Sequence, residues 1–220
     1  GGKDPYSASK AAAGIVTQSF ARSFFDKAGV PVATARGGNV IGGGDFSRDR
    51  LVSDIVRAGR SQGQTVLRHP EATRPWQHVL ECLSGYLCLG ARLHGASPDS
   101  PWASSFNFGP GPGSDLPVRE VARELVRWWP GQWEVRSEPN APHEATHLNL
   151  AIDKAASLLG WLPVWDLPTA LRLTVEWYRA RHLEPATDLV GFSLAQIDAY
   201  EQAARTRGQA WAGASRNESA

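Results

Sequence analysis

The sequence predicts an α/β fold, on three observations. Short apolar runs of strand character alternate with stretches of helical periodicity. A glycine-rich segment, Gly37-Gly38-Asn39-Val40-Ile41-Gly42-Gly43-Gly44-Asp45, directly follows one of those runs. Apolar residues make up 42% of 220, enough for one sizeable core, or for one domain and part of a second.

The elements follow in order. From Tyr6 to about Phe25, Ala8, Ala12, Ile15, Val16, Ser19 and Phe20 recur at helical spacing, and Gly29 and Pro31 stop that helix. Val32–Ala35 reads as a strand leading into the glycines. A helix from about Leu51 to Arg57 and a strand near Thr65–Arg68 come next. Arg74-Pro75-Trp76 opens a further helix whose inner face is predicted to be Val79, Leu83, Tyr86, Leu87 and Gly90. Ser105–Phe108 is a strand ending at Gly109. Asp115 is placed to cap a helix carrying Val118, Val121, Ala122, Leu125 and Trp129. Trp133–Arg136 and Leu148–Ile152 read as strands. A short helix over Lys154–Leu159 stops at Gly160, and Asp166 caps a long one reaching about Arg181. Ser193 and Gln196 have capping-box spacing ahead of Ile197 and Tyr200. From about Arg205 the composition predicts a disordered tail over 205–220.

Lys plus Arg is 23 and Asp plus Glu is 22, a net charge of +1. That balance argues against a nucleic-acid or anionic-membrane surface, which needs a basic excess. No apolar run approaches a membrane span, and the first residues do not read as a signal peptide. The two cysteines, Cys82 and Cys88, fit small core fillers in a reduced, cytoplasmic setting. There is no methionine, which suggests a chain beginning inside a longer protein.

Few side chains stand out chemically. Tyr6 and Lys10 are four apart at a helix start and so share a face. An ammonium beside a phenol favours the phenolate, a general base for a sugar hydroxyl. Asn39, in the glycine segment, offers an amide to a phosphate or hydroxyl where parallel strands end. Arg74, with the backbone donors of a helix entrance, suits a phosphate. His143-Glu144-Ala145-Thr146-His147 matches the His-Glu-x-x-His of zinc peptidases. That motif needs a helix, however, and here Pro139 and Pro142 precede it and a strand pattern follows. No metal site is expected.

Taken together, Asp4-Pro5-Tyr6-Ser7-Ala8-Ser9-Lys10, Ala33–Asp45, Arg74-Pro75-Trp76-Gln77-His78-Val79-Leu80-Glu81, Asn107-Phe108-Gly109 and Ser193–Tyr200 resemble the extended short-chain dehydrogenases/reductases that act on nucleotide sugars. The resemblance runs from Gly1 to about Glu201 and lies nearest the branch using CDP-glucose. It implies the C-terminal part of a Rossmann-type parallel sheet plus a smaller mixed α/β substrate-binding domain. Its division would be a partial Rossmann-type segment at 1–65, then remaining Rossmann elements and a nucleotide-sugar-binding subdomain at 66–204.

The reaction it implies is dehydration of CDP-D-glucose to CDP-4-dehydro-6-deoxy-D-glucose by an internal redox cycle on bound NAD. Tyr6 would take the proton of the 4-hydroxyl as hydride leaves C4. Water is then lost across C5 and C6, and the hydride returns to C6. Lys10 would hold the nicotinamide ribose, with Gly38 near the nicotinamide. Asn39, Arg50, Arg74 and Asn107 would hold the CDP-sugar, with His143 nearby. A homodimer formed through the tyrosine–lysine helix is also implied.

The family's glycine fingerprint and its Thr-Asp-Lys segment do not occur in this sequence. Ala151 stands where relatives usually carry aspartate, and Ser53 and Cys82 replace prolines. Without those parts the chain alone is expected to bind NAD poorly and to turn nothing over. Two alternatives stay open: an epimerase or other sugar-nucleotide dehydratase, and a non-catalytic nucleotide-sugar-binding module.

Overall fold

A computed structural model describes residues 4–136, 147–184 and 186–213. All three strand pairs are parallel, as the α/β reading requires. Helix α1 (Pro5–Phe20) starts on Asp4, whose carboxylate accepts from the Ser7 amide at 2.9 Å, with Pro5 in the first turn. It runs on through a π-helical turn (Ala21–Phe25) and a 3-10 turn (Asp26–Ala28), and Gly29 ends it at φ +70°. Strand β1 (Thr34–Gly37) pairs with β5 (Ser105–Phe108), whereas β2 (Asn39–Ile41) pairs with β4 (Trp76–His78). Strand β3 (Gln64–Leu67) pairs with β6 (Gln132–Val135).

The main core gathers α2 (Leu51–Arg60), α4 (Val118–Trp128) and α6 (Leu167–Leu183) around Ile41, Leu67 and Trp76. A second cluster joins α3 (Val79–Leu93) and α5 (Asp153–Leu159) to β5 through Leu89, Phe106, Phe108, Leu159 and Trp161. Trp161 meets the Phe108 ring edge-on at 5.0 Å. A third places Val164 against Tyr200 and Ala204 of α7 (Leu189–Thr206).

Several expectations need correction. Arg74-Pro75-Trp76 leads into β4, and the helix begins only at Val79, because Trp76–His78 takes a place beside β2. The buried face of α3 is Glu81, Cys82, Ser84, Gly85 and Leu89, and Leu83 and Leu87 point outward at 45% and 75% exposure. Gly85 lets α3 lie so close to Phe108 that a Cβ there would overlap the ring, and this turns the predicted face away. Pro117, not Asp115, occupies the N-cap of α4, without a side-chain cap bond. Residues 148–152 form no strand; only His147 bridges, to Thr73. Ser193 lies inside α7, which Asp188 caps through the Val190 amide at 3.0 Å. Disorder does not begin at 205: α7 reaches Thr206, Gln209 and Ala212 are buried, and Arg205 Nε donates to the Ala212 carbonyl at 3.1 Å, while 214–220 of the expected tail lie outside the described residues. No helix among the described residues is long and apolar enough to cross a membrane.

Candidate active site

Tyr6 and Lys10 share the exposed face of α1, the ammonium 5.6 Å from the centre of the phenol ring. Tyr6 is 70% exposed. A Cβ on Gly14, one turn further along, would lie 3.8 Å from the Arg36 guanidinium, so this helix approaches β1 through small residues.

The other candidates lie at the β1–β2 junction, just ahead of β4, on β5 and at the start of α2. The Asn39 backbone N–H donates to the Pro75 carbonyl at 2.8 Å, which sets Asn39 beside the Arg74-Pro75 step. Gly38 is held against the same residue: a Cβ there would overlap the Pro75 carbonyl and come within 3.2 Å of its ring. Arg74 is buried and donates to the Thr73 carbonyl at 2.8 Å. Asn107 stands opposite Arg36 in the β1–β5 register, and its side-chain amide donates to the Ala151 carbonyl at 3.3 Å. Arg50 is the exposed N-cap residue of α2. Burial works against the Asp45 carboxylate, yet the Ser47 amide and hydroxyl, with the charge of Arg50, hold it below the usual carboxylate range.

Asn39, Gly38 and Arg74 are thus brought together across β2 and β4, with Asn107 on the neighbouring pair. Tyr6 and Lys10 sit apart on α1. His143 lies outside the described residues. His147 bonds through Nδ1 to the Thr73 hydroxyl at 3.1 Å. No three His, Cys, Asp or Glu among the described residues gather into a group able to hold a metal ion.

Behind these residues lies a set of buried polar side chains, on β4 and α3, that no motif in the sequence marks. The Gln77 side-chain amide donates to the Phe108 carbonyl at 2.8 Å and to Cys82 Sγ at 3.0 Å. Burial pushes the Cys82 thiol up to about 11, an inert thiol. His78 is 2% exposed, its Nδ1 accepting from the Leu80 amide, and burial lowers its pKa to about 4. Glu81 is 1% exposed and accepts from the amides of Val164 and Trp165 at 2.9 and 2.6 Å and from the Tyr200 hydroxyl at 2.8 Å. Burial still raises its pKa despite those three donors. The only sequence sign was an acid on the inward side of a helix, and the outward apolar stripe obscured that side.

The fold is that of Rossmann-type nucleotide-sugar dehydratases and epimerases of the short-chain dehydrogenase/reductase group. A solved dTDP-glucose 4,6-dehydratase from Bacillus anthracis, in complex with NAD, superposes with a TM-score of 0.65 at 18% identity over 84% of this chain and 54% of that one. For a UDP-glucuronic acid 4-epimerase from Bacillus cereus the values are 0.67 and 15%, over 81% and 54%. In sequence the chain is related to CDP-glucose 4,6-dehydratase of Salmonella typhimurium, 42% identical over 187 residues, 82% of this chain and 51% of that protein. UDP-glucuronic acid decarboxylase 1 of Danio rerio is 27% identical over 77% of this chain and 38% of its own. The chain therefore spans about half the length of the first of these relatives. No family model matches it.

Proposed function

We propose that this chain forms the substrate-side part of an NAD-dependent 4,6-dehydratase acting on CDP-glucose. The observation that carries the reading is the pairing of Asn39 with the Arg74-Pro75-Trp76 step, inside a sequence 42% identical to a CDP-glucose 4,6-dehydratase. Asn39, Arg50, Arg74 and Asn107 hold the nucleotide diphosphate. Charged donors such as arginine bind a diphosphate more strongly than neutral ones.

The residues present fit the nicotinamide end of NAD. Lys10 and Tyr6 present an ammonium and a phenol on one exposed face. NAD held there would supply reversible hydride transfer. Lys10 would hold the ribose hydroxyls, its ammonium beside the Tyr6 ring. Tyr6 takes the proton of the sugar 4-hydroxyl. A second copy covers the apolar side of α1, where Ile15, Val16, Phe20 and Phe24 are 53–69% exposed. Neither the pyrophosphate cradle nor the dehydration acid is supplied by this chain, so alone it turns over no CDP-glucose.

Calorimetry with CDP, UDP and dTDP tests the reading. CDP should bind tightest, and Asn39→Ala or Arg74→Ala should weaken it about 10-fold or more. Equal affinity for all three nucleotides, or no binding by the folded chain, would overturn the substrate. Turnover of CDP-glucose by the chain with added NAD would overturn the claim of inactivity.

A further inference from the structure

The loop from Gly42 to Arg50 joins β2, with Asn39, to the start of α2, with Arg50, and most of it is exposed. Contacts from α6 and α2 nevertheless fasten it. Gly43 lies so close to Trp177 that a Cβ would overlap the indole. The Tyr178 hydroxyl donates to the Asp45 carbonyl at 2.5 Å, and the Ser53 hydroxyl donates to the same oxygen at 2.8 Å. The Phe46 ring sits 6.5 Å from Trp177, 6.0 Å from Tyr178 and 6.1 Å from His182. Arg57 donates to the Phe46 carbonyl at 2.9 Å.

The clamp is itself braced. Trp177 Nε1 donates to Ser193 Oγ at 3.0 Å, and the Gln196 side chain donates to the Leu173 carbonyl at 2.8 Å, which ties α6 to α7. Helix α6 is buried along Leu171, Val175 and Tyr178. A rigid helix thus grips a loop that has little packing of its own.

We infer that Trp177 and Tyr178 are positioning residues, which hold this loop so that Asn39 and Arg50 keep a fixed spacing for a nucleoside diphosphate. The inference deepens the proposed function and rests on it for the identity of the ligand. Neither aromatic needs to touch the ligand. Their effect comes from the ordering entropy that a loose loop would have to lose on binding.

The test compares the full chain with Tyr178→Phe, Trp177→Phe and Trp177→Leu by hydrogen exchange, by thermal midpoint and by calorimetry with CDP. Tyr178→Phe should speed amide exchange over 45–49 and weaken CDP binding, each about 10-fold, with exchange in α4 unchanged. Trp177→Leu should do the same, and Trp177→Phe, which keeps a ring against Gly43, should recover most of the loss. A purely structural role would lower the midpoint in all three variants and leave CDP affinity alone, and that pattern overturns the inference. So does unchanged exchange across the loop. A wild-type chain that binds no CDP defeats the substrate assignment instead, and the exchange data then decide the loop-holding role on their own.

Discussion

Helices α1 and α6 are nearly the same length, 16 and 17 residues, and both begin on an aspartate with a proline in the first turn. Their fates differ: α6 buries eight residues, whereas α1 buries none. Apolar content does not separate them, since α1 carries Ile15, Val16 and Phe20. The difference is partnership. Helix α6 packs on α4, β4 and α7, and a fully buried Leu171 or Val175 there contributes roughly 1.5–3 kcal/mol. Helix α1 gains little from tertiary burial, and short helices without it are marginal. The region with the proposed general base is therefore the least anchored, and the region holding the nucleotide loop is the most.

The contrast can be broken most severely in the core. Phe108→Ala, in the cluster under α3, should cost about 3–5 kcal/mol by urea denaturation, because the Trp161 and Phe106 rings cannot collapse into the void. A similar loss from Ile15→Ala in α1 would contradict the contrast outright.

Acid should act next most strongly. Buried neutral, His78 has a folded pKa of about 4 against about 6.5 unfolded, so the unfolded state binds the proton first. Its contribution to stability is complete above about pH 6.5 and is lost as pH falls toward 4, about 3 kcal/mol in all. Glu81 has the opposite sign: its folded pKa is raised, so protonation near and below the carboxylate range favours the folded form and offsets part of the loss. Urea midpoints from pH 7 to pH 4.5 should fall, and His78→Phe should flatten that slope. A slope unchanged in the variant would remove His78 as its cause.

The caps sharpen the comparison more gently. Asp166→Ala deletes the bond from the Thr169 amide at 2.9 Å and should lower the global midpoint by about 1 kcal/mol. Asp4→Ala deletes the equivalent bond from Ser7, yet it should reduce only ellipticity at 222 nm and leave the global transition in place. Coincident loss by both probes would mean that α1 is part of the cooperative core. Ile15→Ala should shift global stability by no more than about 0.5 kcal/mol. It should also weaken self-association measured by sedimentation if α1 is the face that pairs.

Much of this was legible in the residues. Asp166, Gly29 and Gly160 mark helix ends through local geometry, which needs no partner to be read. The α/β class followed from alternation of strands and helices, and the parallel pairing from the family resemblance. What failed depended on tertiary choice. Leu83 and Leu87 form a good helical stripe, but Gly85 and Phe108 set which side of α3 turns inward. Trp76–His78 is too short a strand to announce itself after Arg74-Pro75. Ser193 looks like a cap until Asp188, five residues earlier, takes that place. At the candidate site, the Asn39 and Arg74 elements do meet, whereas Tyr6 sits apart from them on α1, a placement that spacing cannot give because it depends on where a helix docks.

The joint at Gly38 has a mechanical consequence. The eight residues from Thr34 to Ile41 run as one cantilever whose first half is riveted to β5 and whose second half is riveted to β4. Inserting a single residue at that joint would force one rivet line to slip by one step, and alternate side chains would flip to the opposite side. Asn39 would then face the wrong way while every helix stayed intact, so the length of this span is under as tight a constraint as any side chain it bears.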